Sequence, residues 1–311
     1  MGATAHEPGR RENSLKATVR QDLTLLIPTL GRPILERALS AIEDGTEWPA
    51  EVLVVDQSSD AAARPLAQAF SARGLQVRWL PCAGRGRSLG INTGLAAVVT
   101  DWVLITDDDC LADRYWVGAM KKRLLDMPGG LVTGRVDAMD GDIQLSVATG
   151  DAEVMQRRPS VRFDRLSGGN MGAHRDVLRQ VGPFTTEESM RTAEDGDYAY
   201  RALRSGVPIL YAPECRVVHL GWRDAASRQA QYAAYALSQG GFLGYHARRG
   251  ALLIWLRTVV HLVRTLKRWL IGSVLGDREL SLNGKCYVMG FFPGFRAGWK
   301  AAGAKPDPLA S

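Results

Sequence analysis

The sequence predicts an α/β fold: a mainly parallel sheet flanked by helices, with a helical extension at the C-terminus. Three observations predict it. Short apolar, β-rich runs alternate with segments of helical spacing between residues 23 and 107. Polar clusters follow the end of each run, as loops at one sheet edge would. Past residue 225 the apolar spacing suits helices, and cations accumulate there.

In chain order, the opening MGATAHEPGRRENSLKATVRQ is polar, carries Gly, Pro and charges, and has no apolar stretch of signal-peptide type. It reads as a flexible leader over 1–21. LTLLIP (23–28), EVLVVD (51–56), LQVRWL (75–80) and WVLITD (102–107) are the predicted strands. ILERALSAI (34–42), PLAQAFSA (65–72) and SLGINTGLAAVV (88–99) are the helices between them. Repeated β-α-β units give a mainly parallel sheet with helices on both faces, and such sheets bind ligands outside the carboxyl ends of their strands. That places Asp107, Asp108 and Asp109, directly after the fourth run, on the ligand-binding edge.

Composition narrows the class. The chain has 311 residues, 46% hydrophobic and 23% charged, an ordinary globular balance. Cys82, Cys110, Cys215 and Cys286 lie far apart with no C-x-x-C pair, which suggests neither a zinc finger nor a disulfide framework and fits a reducing cytoplasm. Net charge is +6, but residues 246–300 hold ten Lys or Arg against two acids while the rest holds 29 against 31. No nucleic-acid-binding module is visible in the first 245 residues, so an anionic surface is the expected partner of this basic tail, not nucleic acid.

The polar clusters at the sheet edge carry the candidate chemistry. PTLGRP follows the first strand, DQSSD the second and CAGRGR the third. Asp56 either hydrogen-bonds a nucleoside or caps an Asx turn. GRGRSLG matches neither usual nucleotide-binding glycine signature, yet Arg85 and Arg87 can face a diphosphate. Three consecutive carboxylates suit a hard cation, Mg²⁺ or Mn²⁺, shared with substrate phosphates. The competing use, capping of the helix near RYWVGAMKKRLL by Asp109 or Asp113, needs only one acid. SGGNMG (167–172) either brings the backbone close to a ligand, with Asn170 on sugar hydroxyls, or forms a turn. Residues 138–166 lack a period and are expected to form a variable loop over the acceptor.

Taken together, LLIPTLGRPILERALSAI, VLVVDQSSD, GINTGLAAVVTDWVLITDDD, SGGNMGAHRDVLRQVGPF, EDGDYAYRALRSG and ILYAPECRVVHL resemble, in this order, the motifs of the family 2 glycosyltransferases with their GT-A fold. The resemblance covers about residues 22–220. It implies a catalytic domain over 22–225, with a nucleotide half at about 22–110 and an acceptor half at 111–225, then a helical extension over 226–300 and a tail, 301–311. It implies nucleotide or donor contacts from Thr29, Arg32, Asp56, Arg85, Arg87, Asn92, Asp107, Asp108, Gly169 and Asn170. It implies a metal, Mn²⁺ or Mg²⁺, held by Asp109, Asp107 and His219, and a catalytic base, Asp195, supported by Glu194. Where the family often carries Arg before the Asn of its N-x-G helix, this chain has Ile91.

The expected reaction moves a sugar from a nucleoside diphosphate, a UDP-sugar first among them, to a glycan or lipid-linked acceptor. In-line attack opposite the leaving group inverts the anomeric carbon. The base must reach the acceptor hydroxyl, and the metal must stabilise the diphosphate. Two other functions share the fold: a sugar nucleotidyltransferase, whose Gly-rich basic signature after the first strand is missing from PTLGRP, and a non-catalytic nucleotide-sugar-binding scaffold, which would have lost these acids.

In LLIWLRTVVHLVRTLKRWL, the cations Arg257, Arg264, Lys267 and Arg268 fall with His261 on one helical face and the apolar residues mainly on the other. No apolar run reaches the ~18 residues of a spanning helix. The helix either lies on an anionic membrane surface, at the inner face of the cytoplasmic membrane, or docks its apolar face on protein.

Overall fold

The structure is a computed structural model describing residues 19–139, 148–220 and 225–304. In chain order its elements begin with β1 (Val19–Thr29), α1 (Leu35–Glu43), β2 (Glu47–Asp56), α2 (Arg64–Ala72), β3 (Val77–Pro81), α3 (Arg87–Ala97) and β4 (Trp102–Thr106). There follow β5 (Cys110–Ala112), α4 (Trp116–Asp126), β6 (Leu131–Ala138), β7 (Val154–Gln156), β8 (Asn170–His174) and α5 (Arg175–Val181). A 3-10 turn (Glu188–Met190), α6 (Glu194–Arg204), β9 (Ile209–His219), α7 (Ala225–Arg248), α8 (Leu252–Leu275) and α9 (Arg278–Ala301) complete the described chain. Residues 1–18 and most of MDGDIQ (139–144), within the expected leader and acceptor loop, lie outside the described residues.

The sheet order is β3-β2-β1-β4-β8-β6-β9-β5, with β7 added on β9. β1, β2, β3 and β4 run parallel, β8 runs antiparallel to β4 and β6, and β6 and β9 are parallel again. The central strands are apolar in unbroken runs because both faces are covered. Leu25, Ile27, Val52, Val54 and Leu104 pack into one core layer, and Leu26, Leu53, Val55, Val103 and Ile105 into the other. This is the α/β architecture expected from the sequence, with its C-terminal helical region. Parallel pairing sets the ends of β1, β2 and β4 at one edge, and the pairing of Cys110 with His219 brings the end of β9 to the same place.

The three C-terminal helices form a separate layer, joined to the rest by a core around Met190, Tyr200, Phe242, Leu243, Ile254 and Phe291. α9 packs on α7 backbone to backbone. A Cβ at Gly294 would lie 2.0 Å from the Leu237 carbonyl oxygen, and one at Gly298 would lie 1.9 Å from that of Gly241. The spacing Gly290, Gly294, Gly298 clears one helical stripe for this contact. The α8–α9 reversal uses Gly276 in the left-handed region (φ 71°), followed by Asp277, whose carboxylate accepts from the Leu280 amide at 2.9 Å.

α8 has two faces as expected, but the docked one is the polar one. Arg257 is 3% exposed. Its guanidinium donates to both Asp164 carboxylate oxygens (3.0 and 3.2 Å) and to the Ser160 carbonyl, and it lies over the rings of Tyr200 and Phe242. His261 and Thr265 are buried beside it, and Arg264 and Arg268 are half-buried. The apolar face does not dock on the catalytic elements, and Arg257 is not a headgroup contact. A polar stripe can turn inward when neighbouring chain supplies its partners, as Asp164 and Ser160 do.

Candidate active site

Where β4 ends, the chain lays three carboxylates into three environments. Asp107 accepts from Arg87 Nε at 2.6 Å. Asp108 is buried, accepting from the Thr29 hydroxyl at 2.6 Å and from Arg32. Asp109 accepts from Arg32 Nη2 at 3.1 Å, and its Oδ1 lies 3.6 Å from His219 Nε2. Burial holds the Asp108 carboxyl above the usual range even though Arg32 and Thr29 oppose it.

Asp109, Cys110 and His219 present ligand atoms within 4.8 Å of one another. Burial, with the charges of Asp107 and Asp109, pushes the Cys110 thiol well up, so the thiolate is disfavoured. The carboxylate and imidazole that remain suit Mn²⁺ completed by water and diphosphate oxygens. Asp107 is not in this group. Its side chain, expected at the metal, turns to Arg87.

Arg87, at the first position of α3, joins the two halves of the site. Besides Asp107, its Nη1 lies 3.5 Å from Glu194 Oε1, and its charge acts on Asp195. Desolvation opposes the guanidinium charge, but the surrounding acids outweigh it and raise its pKa. Glu194 and Asp195 open α6, where the positive end of the helix faces them. Burial raises Glu194, helped by the neighbouring Asp195 charge and opposed by Arg87. Desolvation also raises Asp195, against Arg87 and the backbone amides of Gly196 and Gly168. Arg87 Nη2 and Glu194 Oε2 are buried with no hydrogen-bond partner among the described residues. Such orphaned buried groups call for an explanation, and a ligand oxygen or proton would supply one.

The Gly-Gly of SGGNMG belongs to this arrangement. A Cβ on Gly168 would lie 2.7 Å from Arg87 Nη1, and one on Gly169 would lie 2.8 Å from Asp107 Oδ2. The loop presses on the Arg87–Asp107 pair, and the Gly169 carbonyl accepts from the Thr106 hydroxyl at 2.7 Å. Gly169 therefore shapes the pair in place of meeting a donor itself.

Other expected donor contacts are corrected. Asn170 is 0% exposed. Its amide donates to the carbonyls of Arg135 (3.0 Å) and Cys215 (2.7 Å) and accepts from the Trp116 indole at 2.9 Å, clipping β6, β9 and α4 to β8. Asn92 makes a two-way bond to the Phe184 backbone, at 2.8 and 2.9 Å, and holds the segment before α6. Asn170, fully buried with both amide N–H groups committed, is not placed to meet a sugar, whereas Asn92 spends one N–H and one lone pair on Phe184. Asp56 takes the turn-forming alternative: its carboxylate accepts from the amides of Ser58 (2.9 Å) and Ala63 (3.0 Å) and from the Trp79 indole (3.0 Å). Arg85 is exposed on the loop at the same edge.

Two participants were not singled out from the sequence. Cys110 was read only for disulfide or zinc patterns, although its place one residue past the third aspartate was the available signal. The buried Asp197 accepts from Arg201 Nε (2.7 Å) and pairs with His246 Nε2 (2.8 Å), tying α6 to α7. Burial pushes Asp197 up, but those partners leave it below its usual range.

Comparison with known proteins agrees with this geometry. Residues 24–182 match the family described as Glycosyl transferase family 2. The chain is 27% identical over 166 residues to the pre-mycofactocin glycosyltransferase of Mycobacterium tuberculosis, covering 49% of this chain and 34% of that protein. It thus spans about a third of the length of the curated relatives it matches. The structure is similar to the mannosyltransferase PcManGT of Pyrobaculum calidifontis, solved with GDP-Man and Mn²⁺ (TM-score 0.61, 18% identity, 92% of this chain and 88% of that one). It is also similar to S. aureus TarS 1–349 in complex with UDP-GlcNAc (TM-score 0.53, 13% identity, 87% and 90%). Those structural likenesses carry the GT-A fold. The family match over residues 24–182, more than half of the chain, carries the family: this protein belongs to glycosyl transferase family 2.

Proposed function

We propose that this chain is an inverting, divalent-cation-dependent transferase that moves a sugar from a nucleoside diphosphate to a hydroxyl of a glycan or lipid-linked acceptor, in glycolipid or cell-envelope polysaccharide synthesis at the inner face of the cytoplasmic membrane. The catalytic domain spans about 22–225, and residues 226–300 form the extension. The observation that carries this reading is the Arg87 bridge, which sets the acids after β4 and the acids opening α6 on one cleft.

Asp109 and His219 would hold the cation, which when bound neutralises the leaving diphosphate. Arg87, whose Nη2 lacks a partner among the described residues, would donate to a diphosphate oxygen, with exposed Arg85 beside it. Thr29 and Arg32 fix Asp108. Asp195, more basic than a free carboxylate, would take the acceptor hydroxyl proton as the new bond to the anomeric carbon forms. The diphosphate then departs with the electron pair of the broken bond. Desolvation and the Asp107 charge would keep Asp195 basic, and Glu194 would support it from the adjacent, desolvated position. The mannosyltransferase solved with GDP-Man and the TarS complex with UDP-GlcNAc make both nucleotides reasonable donors, with UDP-sugars first.

The test is a panel of UDP-, GDP- and dTDP-sugars incubated with Mn²⁺ and scored for hydrolysis or transfer. EDTA should abolish turnover, and Mn²⁺ should restore it. Asp195→Asn should keep donor binding and lose transfer by at least ~10²-fold. Full turnover in chelator, or normal turnover of the Asn variant, sinks the reading.

A further inference from the structure

α8 is 24 residues long, about 36 Å at 1.5 Å per residue. Its outward face carries Leu252, Leu256, Val259, Val263, Leu270 and Val274, more than half exposed along its whole length, with Leu252 at 84% and Val274 at 83%. Exposed apolar residues such as Val19, Val99 and Leu125 are scattered over the other elements, but a continuous strip of this length calls for a partner. Beside it, α9 turns outward Arg278, Lys285, Arg296 and Lys300, interleaved with exposed Met289, Phe292 and Trp299. The two faces meet at Trp255 and Trp299, whose rings are 6.1 Å apart.

We propose that this composite face, the apolar strip of α8 with the cationic and aromatic face of α9, is where the protein rests on an anionic lipid surface. No helix among the described residues is long and apolar enough to cross a membrane. The strip would sink into the acyl boundary, the tryptophans would sit at headgroup level, and the α9 cations would meet lipid phosphates. Charge selects lipid over a second copy of this chain. Two-fold self-docking would bring the α9 cations of one copy toward those of the other. The acids near that row are engaged: Asp277 caps α9, and Glu279 accepts from the Tyr232 hydroxyl. Arg257 is not the contact, since it is buried on Asp164, whereas Lys267, exposed between Val263 and Leu270, adds a cation to the strip. The inference deepens the membrane-located acceptor proposed above and rests on it for its biological use, but vesicle binding is measured without substrate.

The experiment is sedimentation with sucrose-loaded vesicles of mixed phosphatidylglycerol and phosphatidylcholine, against phosphatidylcholine alone. Wild type should pellet with the anionic vesicles, less so at high salt, with a blue shift of tryptophan emission. A Leu256→Gln, Val263→Gln, Leu270→Gln chain should partition at least about tenfold less while melting like wild type, since all three side chains face solvent. A Lys285→Gln, Arg296→Gln, Lys300→Gln chain should lose the preference for anionic lipid. Donor hydrolysis by each variant, measured without vesicles, reports the active site separately. Three results overturn the proposal: wild type left in the supernatant at low salt, the apolar-face variant pelleting like wild type, or a wild-type dimer that this variant converts to monomer.

Discussion

The carboxyl edge of the sheet and helix α8 solve opposite problems with the same residue types. At the edge, Asp107, Asp108 and Asp109 are carried to a cleft, and each acid finds a cation or hydroxyl close by. In α8, Arg257 and His261 are carried inward, and most of the apolar residues, with Lys267, outward. Only Arg257 there has a carboxylate partner, in Asp164, while His261 Nε2 and Arg264 Nε are buried with no partner among the described residues. A charge at a strand end can choose its solvent, whereas a charge on a docked helix must be paired or neutral. The edge is thus arranged for chemistry, and α8 holds a face that water alone would not leave exposed.

The contrast breaks most visibly at Arg257. Arg257→Met leaves the Asp164 carboxylate, its side chain 1% exposed, buried without its cation, accepting still from the Gln156 amide and the Ser160 N–H. The unfolding free energy measured in denaturant should then fall by about 3–5 kcal/mol, and adding Asp164→Asn should return most of it. A single-variant loss below ~1 kcal/mol would mean that the polar stripe does not hold α8 in place.

A smaller effect sharpens the same point through pH. Burial, with Arg264 and Arg268 nearby on α8, lowers His261 from 6.5 to about 4. Tyr287 and Phe291 of α9 cover its ring. The folded state therefore binds fewer protons than the unfolded chain between those values. This contribution is fully present above about 6.5 and is lost as pH falls toward 4, a change on the order of 3 kcal/mol. His261→Gln should flatten that acid limb of the stability profile. An unchanged limb would place the titrating group elsewhere.

The smallest effect belongs to the outward face. Val263→Ser should leave stability within ~0.5 kcal/mol of wild type, because no protein covers the side chain. A loss above ~1.5 kcal/mol, the size expected for a buried valine, would show that the face is packed in solution.

The elements and the site were legible to different degrees. LTLLIP and EVLVVD lie within β1 and β2, and WVLITD is β4 with Asp107 one residue beyond it, because continuous apolar runs between turn residues specify buried parallel strands locally. The third run began two residues early: Leu75 is buried ahead of β3, so its hydrophobicity reports the core and not the ladder. The approach of Asp109 to His219 is what the resemblance to the family's motif order implies. The partners of Asn92, Asn170 and Asp56 were not legible, because each side chain is satisfied by groups remote in sequence or by a turn whose geometry no spacing reveals.

By itself, then, the sequence determined the strand and helix pattern, the edge on which the acids gather, and the division of α8 into a polar and an apolar face. These are properties of nearest neighbours and of the 2.0 and 3.6 periods. Only the tertiary structure decided that Arg87 would bridge Asp107 and Glu194, that Asn170 would be a clip inside the sheet, and that α8 would turn Arg257 inward. Each outcome depends on which distant group arrives to satisfy a buried polar atom. For α8 that group is Asp164, 93 residues from Arg257 along the chain, and periodicity carries no information over such a separation.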